Sequence, residues 1–274
     1  MTLWKLTLAY DGTPYRGWQV QPGLPTIQGM LADAIHHVTG ERVLPQGSGR
    51  TDTGVHALAQ VASCALAAPI PPANFHRALN RCLPPSIRIL TAEPAPPNFH
   101  ARHSALRKTY EYRIFPLHPD RICPPILAPY VWPCPWPLDL DALNQAAAHI
   151  LGTHDFTTFA ASDPDLSTRN DPAEQPPPPI RTIHHSQWHT AGDLLIYTVT
   201  GSGFLHHMVR NLVGTFVQSG AHRLDPNSIP TLLAARNRNA AGPTAPATGL
   251  FLVSVDYPGV DHSPLTTHNS QLPL

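Results

Sequence analysis

The chain has 274 residues, enough for one large or two medium domains with an ample core, and no apolar run approaches the ~20 residues of a membrane span. Eighteen basic and 18 acidic residues give a formal net charge of zero, which argues against a uniformly basic nucleic-acid binder and leaves a local basic face open. Cys64, Cys82, Cys123 and Cys134 show no Cys-x-x-Cys spacing, and Met1–Leu6 lacks a basic segment followed by a long apolar one, so free thiols, no signal peptide and a cytoplasmic location are predicted.

In chain order, Trp4, Leu6, Leu8 and Tyr10 alternate with polar residues and predict a strand over 3–10, followed by a turn at Asp11-Gly12-Thr13-Pro14. Ile27, Met30, Leu31, Ala34, Ile35 and Val38 fall at helical spacing, with Thr26 as N-cap and Gly40 as stop. A strand is predicted over 55–64, a short helix over 74–82 and another alternating strand over 109–115. The Pro-rich stretch 123–137 reads as a connector, and Asp139 caps a helix through Leu140, Leu143, Ala147 and Ile150. A strand at 194–200, a strongly amphipathic helix at 203–220 and a last strand at 250–257 complete the pattern. Strands and helices mix without βαβ regularity, which predicts an α+β fold with mainly antiparallel sheet in two similar halves, 1–104 and 105–257. The acidic, Pro-rich segment 163–179 reads as an exposed insert, and 258–274 as a flexible tail.

The segment Gly49-Arg50-Thr51-Asp52-Thr53-Gly54-Val55-His56-Ala57 carries the chemistry. A lone carboxylate in a small-residue turn, leading straight into an apolar strand, suits a nucleophile or a general base. The plainer alternative is an Asp bonding its own backbone, the usual role of Asp in Gly-rich loops. Arg210 flanks the apolar stripe Leu205, Met208, Val209, Leu212, Val213 and Phe216, where a charge wants a partner, and Asp52 is the acid the chain offers. The neutral total hides a division: residues 42–113 hold nine basic residues against three acids, a net +6, and the rest of the chain carries −6. Of the 18 basic residues 16 are Arg, which suits bidentate phosphate contacts. Seventeen histidines raise a metal, but His36-His37, His184-His185 and His206-His207 are adjacent pairs. Adjacent residues on a helix or strand point in different directions, so no metal site is predicted, and His206 and His207 read as packing or capping residues.

Eight segments in order resemble the tRNA pseudouridine synthase A (TruA) family. They are Tyr10–Thr13 with Gly17–Gln19; Gly49–Ala57 with Gln60-Val61; Asn80 with Leu83-Pro84; Phe99–Arg102; Tyr110-Glu111-Tyr112; His154-Asp155-Phe156; Phe204–Asn211; and Ala245–Ala247 with Gly249-Leu250. The resemblance implies the pseudouridine synthase fold and an isomerase that turns uridine into pseudouridine at positions 38, 39 and 40 of the tRNA anticodon stem-loop. It implies Asp52 as nucleophile, acting at C1′ of the sugar or C6 of the base, with Arg210 as its ion-pair partner. Tyr110 matches the aromatic that packs on the target uridine and is a candidate acceptor of the C5 proton. Arg50, Tyr110, Arg102 and Lys108 are the expected substrate-binding residues, with Arg50 matching the one that holds the everted nucleotide. The isomerisation involves no redox change or energy input, so no cofactor is expected. The partners implied are tRNA and a second copy of the chain in a homodimer, with no membrane.

Two other readings compete. A non-catalytic RNA-binding module of the same fold explains the basic span and the aromatics, but not a single acid paired with an Arg. A glycoside hydrolase normally needs a second carboxylate, for which Asp155 is the candidate.

Overall fold

Strand β1 (Thr2–Tyr10) buries Trp4, Leu6, Leu8 and Tyr10 on one face, as its alternation predicts. In the computed structural model, which describes residues 1–117, 121–162 and 178–259, it is followed by α1 (Ile27–Thr39), β2 (Gln46–Gly47), β3 (His56–Leu66), α2 (Pro72–Cys82), β4 (Ile87–Pro94) and β5 (Arg107–Pro116). Then come β6 (Trp132–Cys134), α3 (Leu140–Ala148), β7 (Gly152–Asp155), β8 (Ile180–Ala191), β9 (Leu194–Gly201), α4 (Met208–Gly220), α5 (Ile229–Ala235) and β10 (Leu250–Asp256). The predicted insert 163–179 lies outside the described residues except for its last two, and the tail 258–274 except for its first two.

The strands form one sheet in the order β4-β1-β3-β10-β5-β9-β8-β7, with β2 added to β3 and β6 to β5. Pairing is antiparallel except between β10 and β3 and between β5 and β6. This is the mainly antiparallel α+β arrangement expected. The last strand, β10, sits at the centre and joins β3 to β5.

Register fixes which face the helices cover. Residues directly opposite on neighbouring strands share a face. Tyr10 opposes Ala57, Ala57 opposes Leu252, Leu252 opposes Tyr110, and Tyr110 opposes Val199. Trp4 and Tyr112 therefore lie on that face, and so does Tyr197, which opposes Tyr112. Phe75 of α2 meets Trp4 edge-on with ring centres 4.8 Å apart, and Phe216 of α4 meets Tyr197 at 5.5 Å. Helices α2 and α4 thus pack on the same face, and each such ring pair adds about 0.5–1.5 kcal/mol beyond its buried area.

Helix α1 has the predicted ends: Thr26 Oγ1 accepts from the Gly29 amide, and Gly40 takes the left-handed conformation at φ 76°. Helix α4 begins at Met208, five residues later than its apolar pattern suggests. The reason is local: His207 has φ 57°, which breaks the helical run and leaves 203–207 as a lead-in loop.

Candidate active site

The Asp52 turn is held from three sides. Tyr10 at the end of β1 shares a 2.8 Å hydrogen bond with the Thr51 hydroxyl, and burial pushes the Tyr10 pKa up to about 12. Gln60 on β3 accepts from Ser48 Oγ at 2.6 Å and donates to the Gly49 carbonyl at 3.0 Å. The third side is the loop after β1, whose backbone lies directly on the turn. The Trp18 amide donates to the Thr51 carbonyl at 3.0 Å. A Cβ on Gly17 would sit 2.6 Å from the Thr51 carbonyl oxygen, and one on Gly12 only 2.0 Å from that of Val55. Gly17 also has φ 85°. Only glycine permits this approach.

His56, four residues past Asp52, links this turn to the 123–137 connector. Burial lowers its pKa, so the ring is neutral: Nδ1 accepts from the Gly12 amide at 3.1 Å and Nε2–H donates to the Pro129 carbonyl at 3.1 Å. Its ring stacks on Phe251 of β10 at 4.6 Å.

Across the cleft, α4 carries Arg210. Its Nε donates to the Ala245 carbonyl at 2.8 Å, and the Ala245 amide returns a 3.1 Å bond to the Arg210 carbonyl. Nη1 then donates to Asp52 Oδ2 at 2.8 Å, so two charges 158 residues apart in sequence meet. The first turn of α4 is anchored by fully buried Asn211, which donates to the Phe159 carbonyl and accepts from Arg238 and Thr244. The Asp52 side chain keeps 22% of its surface exposed, enough to be reached from the cleft.

The cleft holds about 520 Å³ and is lined by Arg50, Asp52, Arg102, Lys108, Tyr110 and Arg210, so every candidate site residue from the sequence faces it. That volume suits one nucleotide rather than a duplex. Tyr110 forms a wall, with Phe204 meeting its ring edge-on at 5.1 Å. Burial, with Tyr10 and Asp52 nearby, pushes its pKa up, so it is a phenol at neutral pH. Lys108 Nζ lies under the Asp52 turn. Burial and the cations Arg102 and Arg181 lower its pKa to about 8. Three crowded cations favour an incoming anion such as a backbone phosphate.

Sequence reading missed Arg181 and misjudged His206 and His207. Arg181 has no motif around it; it reaches the cluster because β8 pairs with β9 beside β5. The two histidines do not diverge. Their Nε2 atoms lie 3.6 Å from Asp52 Oδ1 and 3.2 Å from Oδ2, respectively. The rule that adjacent side chains diverge assumes regular backbone, and His207 is left-handed. The glycosidase alternative loses its second acid: Asp155 accepts from the Thr157 amide and hydroxyl and pairs with Arg236 at 3.0 Å.

The described residues thus bring a single accessible carboxylate, held by a guanidinium, into a basic, aromatic-walled cleft that suits an anionic substrate. The chain belongs to the tRNA pseudouridine synthase family, whose family model matches residues 7–104 and 146–258. It is 48% identical over 255 residues to a tRNA pseudouridine synthase A of Solibacter usitatus, covering 92% of this chain and 98% of that one. It is 44% identical to the enzyme of that name from Moorella thermoacetica and 42% to that from Rhodopseudomonas palustris, covering 92% and 94% of this chain. Among the described residues no helix is long and apolar enough to cross a membrane.

Proposed function

We propose that this protein isomerises uridine to pseudouridine in the anticodon stem-loop of tRNA, at positions 38, 39 and 40, with Asp52 as nucleophile. The observation that carries the reading is the 2.8 Å pair between Arg210 and Asp52 at the floor of a nucleotide-sized cleft, in a chain of this family. A nearby guanidinium favours the ionised carboxylate as substrate displaces water. The target uridine leaves its stack to reach Asp52 and packs on Tyr110, while Arg50, Arg102 and Lys108 meet the adjacent backbone.

Attack by Asp52 at C1′ or at C6 leads to the same net exchange of bonds, because the bond that its carboxylate forms to the substrate breaks again before product leaves. The N1–C1′ bond breaks, the base turns, the C5–C1′ bond forms, C5 loses its proton and N1 gains one. Atoms and charge balance without a cofactor.

The two halves meet at 104/105. The first supplies the nucleophile and the second its cation, so neither half holds a complete site. A homodimer with tRNA lying across both subunits, in the cytoplasm, completes the proposal. Tritium release from C5-labelled uridine in tRNA tests it: loss of the label together with replacement of uridine by pseudouridine in the digested tRNA supports the reading. Tight tRNA binding without release would favour the non-catalytic module.

A further inference from the structure

The loop entering α4 brings two imidazoles onto one carboxylate. His207 has φ 57° and ψ 3°, a conformation uncommon for a residue with a Cβ and concentrated at functional sites. This turn folds the two rings together, with centres 4.0 Å apart and planes inclined by 32°. Both Nε2 atoms face Asp52.

His206 Nδ1 lies 2.9 Å from the Ser162 carbonyl oxygen. A carbonyl only accepts, so Nδ1 carries a proton, which leaves Nε2 as the nitrogen that would ligate a metal. Nε2 faces a carboxylate oxygen 3.6 Å away, so the two atoms are placed to share a bound cation. An Nδ1–H bonded to a carbonyl is also the usual support of a metal-ligating imidazole. The three ligand atoms all lie within 4.8 Å of one another. Tetrahedral zinc with bonds of about 2.0 Å sets its ligand atoms about 3.3 Å apart, and His206 Nε2 stands 3.6 Å from Oδ1, the carboxylate oxygen that does not bond Arg210.

We propose that Asp52, His206 and His207 form a site for a divalent transition-metal ion of the zinc class, and that the bound ion switches the enzyme off by taking the nucleophile as a ligand. Two imidazoles and a carboxylate, with a fourth position open to the cleft, form a zinc-type donor set. Magnesium, which demands oxygen ligands, does not suit it. The ion takes Oδ1 and leaves Oδ2 to Arg210. The guanidinium repels the ion, which makes the site weaker than a structural zinc centre and therefore reversible. The inhibitory part rests on Asp52 being the nucleophile; the binding part does not.

The test uses the full chain with Co²⁺ as an optical probe and Zn²⁺ as inhibitor. The expected result is visible Co²⁺ absorption without a thiolate charge-transfer band, which sets the site apart from the four free cysteines. Asp52→Asn and His206→Gln, each checked for native circular dichroism, should weaken binding at least about tenfold. Zn²⁺ should suppress pseudouridine formation reversibly. His206→Gln, compared with its own metal-free rate, should need at least about tenfold more Zn²⁺ for half-inhibition. Binding insensitive to both substitutions, or a thiolate spectrum, overturns the site. Binding through these residues without inhibition overturns the switch. A chain that binds Co²⁺ here but forms no pseudouridine keeps the site and refutes the proposed function instead.

Discussion

Lys108 Nζ donates to the Ser48 carbonyl at 2.5 Å, which places a buried ammonium directly beneath the turn that carries Asp52. Its pKa falls to about 8 from the ordinary 10.5. Because the folded value lies below the unfolded one, the charged form is disfavoured in the folded protein, and stability rises as pH increases from about 8 towards 10.5. A bound phosphate reverses that preference. The affinity for tRNA should therefore fall above about pH 8, by at most about tenfold per pH unit from this group. Lys108→Arg keeps its charge and should flatten the profile. A wild-type profile that is already flat between about pH 7 and 9.5 would remove Lys108 from the phosphate-binding face.

The pairing of Arg210 with Asp52 predicts a joint loss. Arg210→Ala strands a carboxylate in a partly dry site and should cost about 2 kcal/mol of stability as well as most of the activity. Arg210→Lys should recover only part, because Lys cannot bond both Ala245 and Asp52 through a planar fork. Denaturant titration and initial rates on the same preparations decide this. Full activity in Arg210→Ala would show that Asp52 needs no partner.

Gly17→Ala should act on the Asp52 turn without touching the substrate. It places a methyl against the Thr51 carbonyl and forces a non-glycine residue into φ 85°, a strain of about 1–3 kcal/mol. A lower melting temperature with a lowered turnover rate is expected. Unchanged values for both would mean that the loop is not what holds the turn.

Salt should weaken tRNA binding despite the neutral total charge, since the basic residues are concentrated in 42–113 and Lys108, Arg102 and Arg181 crowd the cleft. Even three neutralised phosphates lower affinity at least about tenfold between about 50 and 200 mM salt. Filter binding over that range measures the slope; a flat response would place the docking face elsewhere.

The legible parts of the fold were those with strong period. Strand β1, helix α1 and its Thr26 and Gly40 ends followed directly from spacing. Strand β4 has only a weak alternation, Ile87 and Ile89 inward with Arg88 and Leu90 outward, too short to mark a strand by period alone. Strand β8 carries little pattern, because it buries only Ile183 and Trp188, exposes Ile180 and fills most of the rest with histidine and polar residues. The Arg210–Asp52 pair was legible from cost alone, since a guanidinium on the flank of an apolar stripe demands an acid. The convergence of His206 and His207 was not, because it depends on one left-handed residue that no periodicity reports.

The most direct measurement is tritium release from C5-labelled tRNA by wild type and Asp52→Asn, each homogeneous, with tRNA affinity measured alongside. The amide keeps the shape of the side chain but cannot act as a nucleophile. The account predicts release by the wild type, none by Asp52→Asn, and nearly equal binding by both. Substantial release by a homogeneous Asp52→Asn protein would contradict it.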